Sequence, residues 1–261
     1  MSARVAVPVF PGTNSEDETV RALRAVGLDA QVVHWSQPGE LARFDAYVLP
    51  GGFAYEDRIR AGAVAAHDAL MGPVIEAARA GRFVLGICNG AQILAEAGLV
   101  PGTGPLGRPT AAFAPNAGGR FQSVPVCMRL AVAPARLPIL AGIAPGAVIP
   151  AWASHGDGRL AAPPEELQRI ERDHLAFVYA DRDGRPVAAP NGSALSAAGL
   201  VNASGTVLAI MPHPERDAWT FQHLDASRDA ARGDSKATLA PSGGIAFFAA
   251  FARALGVGAA A

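Results

Sequence analysis

The chain has 261 residues, enough for one large domain or two small ones with a core that needs no disulfide or metal staple. Its 22 lysines and arginines against 23 aspartates and glutamates leave a formal charge of −1, so there is no basic surplus to neutralise nucleic-acid phosphates. Half of the residues are apolar but only 7% are aromatic, because alanine supplies much of the apolar share.

The longest uncharged stretches, Leu137 to His155 and Pro186 to His213, are interrupted by prolines and polar residues, so neither reads as a spanning helix and no membrane association is expected. Only a short apolar run, Val5 to Phe10, precedes Pro11-Gly12, too little for a signal-peptide core, and the expected location is cytoplasmic. Cys88 and Cys127 allow at most one bridge, and neither has the Cys/His spacing of a metal site. No metal site is expected.

Val5 to Phe10 reads as a strand, Glu16 to Val26 as a helix with Val20, Leu23 and Val26 on one face, and Ala30 to His34 as a second strand. Ala46 to Leu49 follows as a buried strand ending at Pro50-Gly51-Gly52, and Ile59 to Ala80 as one or two helices with Pro73 in a first turn. Phe83 to Ile87 is the next strand, running into Cys88-Asn89-Gly90 and a helix from Ala91 to Ala97 closed by Gly98. This alternation predicts an α/β fold: a doubly wound, mostly parallel sheet with helices on both faces. After Gly102 the texture changes to Pro/Gly-punctuated segments with period-two alternation, as at Val124, Val126, Met128 and Leu130, which predicts antiparallel strands. Val207 to Met211 is a late strand and Gly244 to Leu255 a terminal helix, with a charged surface excursion expected at 217–240. No linker separates a second domain, so residues 1–261 read as one.

The chemistry concentrates in three places. Gly86-Ile87-Cys88-Asn89-Gly90 sets a cysteine at a strand-to-helix turn between glycines that let the backbone bend, the pattern of a nucleophile elbow. The start of the helix would stabilise a thiolate there, although a buried cysteine in a tight turn fits the pentapeptide equally well. Met211-Pro212-His213-Pro214-Glu215-Arg216 offers an imidazole and a carboxylate two residues apart, on the same side of a chain that its prolines hold extended. A surface turn with a solvated Glu-Arg pair competes with that reading. Leu49-Pro50-Gly51-Gly52-Phe53 opens at a strand end into glycines, where the backbone N–H groups of Gly52 and Asn89 could form an oxyanion hole; a plain tight turn is the alternative. Together the cysteine, the histidine and the glutamate supply nucleophile, base and orienting group. His155 and Asp157 in Ser-His-Gly-Asp-Gly lack a third nearby metal ligand, and Cys127 reads as a structural thiol.

These residues resemble the class I, or triad, glutamine amidotransferases, and among them the glutaminase subunits of phosphoribosylformylglycinamidine synthase. The resemblance rests on Gly86 to Gly90 with Gln92, on Pro212 to Arg216, on Gly51 to Tyr55 with Arg60-Ala61-Gly62, on Asn116 with Arg120-Phe121, on His155 to Gly158, and on Pro190 to Ser193. It implies Cys88 as nucleophile on the amide of L-glutamine, His213 as base and acid, Glu215 as its orienting group, the Gly52 and Asn89 backbones as oxyanion donors, and Gln92 near the bound glutamine. It also implies a class I amidotransferase architecture, a large synthetase subunit that holds ATP and magnesium and acts on formylglycinamide ribonucleotide, and a small bridging subunit. No cofactor is expected in this chain. Two positions depart from the family pattern: Glu56 stands where a glycine usually precedes the aspartate, and Ala91 where a larger residue is common. An amidotransferase for another acceptor, or a non-catalytic subunit on the same fold, are the competing expectations.

Overall fold

The computed structural model describes residues 2–223 and 240–258. The strands are β1 (Arg4–Val9), β2 (Asp29–His34), β3 (Ala46–Leu49), β4 (Val84–Ile87), β5 (Ala112–Ala114), β6 (Gln122–Leu130), β7 (Val148–His155), β8 (Arg159–Ala161), β9 (Leu175–Ala180), β10 (Ala197–Val201) and β11 (Val207–Ile210). The α-helices are α1 (Glu16–Ala25), α2 (Met71–Arg79), α3 (Asn89–Glu96), α4 (Pro164–Arg169) and α5 (Gly243–Ala254). Nine strands form one sheet in the order β2-β1-β3-β4-β11-β10-β9-β6-β7, while β5 and β8 make a separate antiparallel ribbon.

Pairing from β2 through β1, β3 and β4 to β11 is parallel. From β11 onward through β10, β9, β6 and β7 it is antiparallel. This is the expected α/β architecture with an antiparallel second half. Strands β3, β4 and β11 are buried along their whole length, as befits a parallel sheet covered on both faces. Helix α1 buries Val20 and Leu23, and carries Glu16, Asp17 and Glu18 in its first turn and Arg24 in its last, the charge order that its dipole favours.

Two boundaries differ from the sequence reading. Between Ile59 and Ala80 only a 3₁₀ turn (Ala65–His67) and α2 form, because Ile59 and Gly62 take left-handed φ values of 72° and 81° that no α-helix tolerates. A Cβ on Gly62 would lie 2.6 Å from the Gln92 backbone, so this loop is packed directly on α3. Helix α3 itself begins at Asn89 rather than Ala91, with Cys88 as its cap, and Gly98 at φ 69° ends it as expected.

The elbow glycines serve close approach rather than bending. A Cβ on Gly90 would sit 2.1 Å from the Leu49 carbonyl oxygen, and one on Gly86 would sit 2.6 Å from the Gly90 carbonyl, so α3 crosses β3 and β4 in direct backbone contact. Gly90→Ala should therefore cost roughly 1–3 kcal/mol of stability, read by chemical denaturation. A midpoint equal to that of the parent protein would contradict this packing.

The start of the expected excursion packs back onto the domain. Asp217 and Ala218 are buried, the Ser242 hydroxyl donates to Asp217 at 2.7 Å, and the Thr220 N–H donates to the Ala240 carbonyl at 3.0 Å. Trp219 and Phe221 stack with centroids 6.2 Å apart. Leu224 and residues 228–232 lie outside the described residues. Among the described residues no helix is long and apolar enough to cross a membrane.

Candidate active site

Three loops leave the carboxyl ends of neighbouring parallel strands: the glycine turn after β3, the Cys88 turn after β4 and the His213 segment after β11. Ligands of open α/β sheets sit at this edge. The Cys88 N–H donates to the Ile210 carbonyl at 2.8 Å, which ties the cysteine turn to the histidine-bearing strand.

Cys88 adopts φ 52° and ψ −104°. Such a backbone costs a non-glycine residue about 1–3 kcal/mol and persists only where its surroundings fix it. Here the strand and helix on either side do so, and the Cys88 Sγ lies 3.7 Å from the Ser154 carbonyl oxygen. Asn89 is the first residue of α3, so its N–H is one that no carbonyl of the helix reaches. That is the donor an oxyanion would need. Gly52 lines the same cleft; its φ of 154° and a Cβ position only 2.7 Å from the Thr13 Cα leave room for glycine alone.

His213 is extended, but its neighbours do not stay so. A 3₁₀ turn starts at Pro214 and runs to Asp217, and this turn brings the Glu215 carboxylate back to the imidazole: Nδ1 and Oε1 are 2.5 Å apart. The expected extended chain is thus corrected, while the pairing it was meant to achieve is present. Trp152 on β7 pins the histidine backbone, donating to its carbonyl at 3.2 Å and accepting its N–H at 2.8 Å. Gly51 makes room for the ring, since a Cβ there would lie 2.6 Å from His213 Cε1.

Burial disfavours a charged His213, yet the Glu215 carboxylate and the Cys88 sulfur outweigh it and hold the imidazole pKa well above its usual range, at about 10. The ring is then a proton donor at neutral pH beside a sulfur nucleophile. Its Nε2 is buried, and the group beside it is the Cys88 sulfur. Behind the pair, Arg216 donates to Glu18 at 2.7 Å and to the Ser15 hydroxyl at 2.9 Å. Glu18, His213 and Glu215 are the one group of potential metal ligands brought together among the described residues, and the Arg216 guanidinium already neutralises Glu18.

Cys88, His213, Gly52 and Gln92 share a cleft of about 140 Å³. Glu215 and Asn89 stand behind it, both buried. The Asn89 amide is a hub: its oxygen accepts from the Ala54 N–H at 3.0 Å, and its nitrogen donates to Asp57 at 3.1 Å and to Gln92 Oε1 at 2.8 Å. Gln92 in turn donates to the Asp157 carbonyl. Asn116 and Asn191 hold the 155–158 loop, Asn116 by donating to the His155 carbonyl at 2.7 Å and accepting the Gly158 N–H at 3.0 Å, and Asn191 by donating to the Gly158 carbonyl at 2.8 Å. Burial, reinforced by the His213 charge, keeps His155 neutral with a pKa near 4.

Sequence reasoning gave no role to Trp152, Ser154 or Asp57. The first two act through backbone groups, which leave no mark in a sequence. An aspartate beside a glycine-rich strand end was the one signal available for the third.

Residues 2–248 match the family model of the CobB/CobQ-like glutamine amidotransferase domain. The chain is also 44% identical over 219 residues to the phosphoribosylformylglycinamidine synthase subunit PurQ of Symbiobacterium thermophilum, a match that spans 82% of this chain and 87% of the relative. The chain belongs to the glutamine amidotransferases, in the PurQ family. The PurQ of Thermomicrobium roseum is 41% identical, with 82% of this chain and 87% of the relative covered. Among solved structures, one of PurLQS from Thermotoga maritima aligns with a TM-score of 0.71 at 29% identity, covering 89% of this chain and 97% of that one. The glutaminase domain of Trypanosoma brucei CTPS, solved with bound acivicin, aligns at 0.58 with 12% identity, a likeness of fold alone. As a PurQ-family amidotransferase the chain is an enzyme of purine biosynthesis.

Proposed function

We propose that this chain is the glutaminase half of a phosphoribosylformylglycinamidine synthase, hydrolysing L-glutamine to glutamate and ammonia through a thioester on Cys88. The nucleophile is the Cys88 thiolate, paired with the protonated His213; it attacks the side-chain amide carbon, and the Gly52 and Asn89 N–H groups stabilise the oxyanion. His213 gives its proton to the departing ammonia and then takes one from the water that cleaves the thioester. Glu215 fixes the ring and its charge. Gln92 lies beside the substrate.

The ammonia passes to a large, PurL-like synthetase subunit that holds ATP and magnesium and converts formylglycinamide ribonucleotide to formylglycinamidine ribonucleotide, with a small, PurS-like subunit bridging the two in the cytoplasm. This chain needs no cofactor of its own in that scheme. The observation that carries the reading is a strained cysteine elbow in one cleft with His213, itself 2.5 Å from a fully buried glutamate, in a PurQ-family chain. Mixing the chain with PurL-like and PurS-like subunits should give ATP-dependent amidation with glutamine as nitrogen source. A mixture that assembles but amidates only with added ammonia would contradict it.

A further inference from the structure

The acyl-transfer steps leave two carboxylates of the cleft without a task. Asp57 and Asp157 arrive on separate loops and line the same cavity as Cys88 and Gln92. Burial and the nearby Asp157 charge push the Asp57 carboxyl up to about 6, and the hydrogen bond from Asn89 offsets this only in part. Of the guanidinium groups on these loops, Arg58 is committed to Glu56 at 2.7 Å and Arg216 to Glu18 at 2.7 Å, and the His213 charge lies against Glu215. Among the described residues neither Asp57 nor Asp157 has an ion-pair partner. A pair of like charges in a partly buried cleft is costly unless a cation joins them.

The surroundings hold Asp57 in that position at the expense of backbone strain. Tyr55, Glu56 and Asp57 are successive non-glycine residues with φ of 54°, 58° and 52°. The Tyr55 hydroxyl bonded to Asp68, the Ala54 N–H on Asn89 and the Asn89 amide on Asp57 fix the segment. Glu56, one of the two positions that depart from the expected family pattern, is the middle of this left-handed run. The cleft also contains a buried imidazole nitrogen, Nε2 of His155, that has no hydrogen-bond partner among the described residues. The cavity therefore presents two carboxylates and an unpaired ring nitrogen to whatever occupies it.

We propose that Asp57, with Asp157 beside it, is the specificity-determining anion that accepts the α-ammonium group of glutamine. The inference rests on the glutaminase reading and adds a reason for substrate choice. An amide that lacks the ammonium would leave the two carboxylates facing each other, whereas glutamine places a cation between them as its amide reaches Cys88.

The test compares L-glutamine with glutaramate, the same amide without its α-amino group, in the assembled complex. Asp57→Asn should raise KM for glutamine roughly 10–100-fold, the loss of a charge-assisted hydrogen bond, with kcat changed much less. kcat/KM for glutaramate should not fall, so the preference for glutamine falls by at least that factor. Asp157→Asn should lower the preference severalfold, and it carries the comparison if Asp57→Asn fails to assemble. A preference unchanged in both variants, or an equal loss on both substrates as a merely structural role would give, overturns the proposal. Parent protein that releases no glutamate overturns the glutaminase reading itself, whereas an active parent with an unaltered preference in the variants overturns this inference alone.

Discussion

Replacing Cys88 with alanine should lower glutamine-dependent turnover by roughly 10⁴–10⁶-fold, because no other group in the cleft can form the thioester. The substitution leaves the fold nearly untouched: alanine is no worse than cysteine at φ 52°, and what is lost is the sulfur's contact with the Ser154 carbonyl and with the His213 ring. In the parent protein a glutamine-analogue electrophile should label Cys88 and spare Cys127, which lies half-buried on β6, away from the cleft-lining residues. Mass spectrometry that found the label on Cys127, or found equal labelling in Cys88→Ser, would remove the nucleophile from its place.

Glu215→Gln should lower kcat by roughly two to four decades with a smaller change in KM, since the carboxylate orients the ring and stabilises its charge rather than binding substrate. The pH profile gives a second reading. His213 keeps its proton well above the usual imidazole range only because Glu215 and Cys88 outweigh burial. Without the carboxylate, burial gains ground, the imidazolium loses its proton at lower pH, and the alkaline limit of activity moves down. Full activity in the glutamine variant of the assembled complex would mean that the third member of the triad is wrong.

Much of the fold was legible because the signals were local. Short apolar runs, the glycine turns after β1, β3 and β4, and a helix stopped by Gly98 are patterns read within ten residues or so, and they located β1 to β4 and α3. The triad was legible for the same reason: a cysteine elbow and a His-x-Glu segment each carry their chemistry in one short stretch. What the sequence hid was tertiary. Gly51 is glycine because the His213 ring lies over it, and Gly90 because Leu49 does, neither of which a reading of turn propensity detects. The 59–80 stretch has the composition of a helix, yet left-handed residues at Ile59 and Gly62 fit it to the surface of α3 instead. Asp57 is set apart by the nearby Asp157, which only the fold brings into the same cleft. The same holds for Asp217 and Trp219: they read as the start of a charged excursion, and only the fold brings Ser242 and Pro241 to them.

The central claim is a division of labour, in which this chain makes ammonia and its partner uses it. It is tested by the complex assembled with Cys88→Ala protein and supplied with concentrated ammonium salt at mildly alkaline pH. Glutamine-dependent amidation should be absent, while ATP-dependent amidation from free ammonia continues at the rate of the parent complex. If the variant complex assembles but ammonia-dependent synthesis is also lost, Cys88 belongs to the acceptor chemistry or to the structure of the complex, and the assignment of the cleft as a glutaminase site fails.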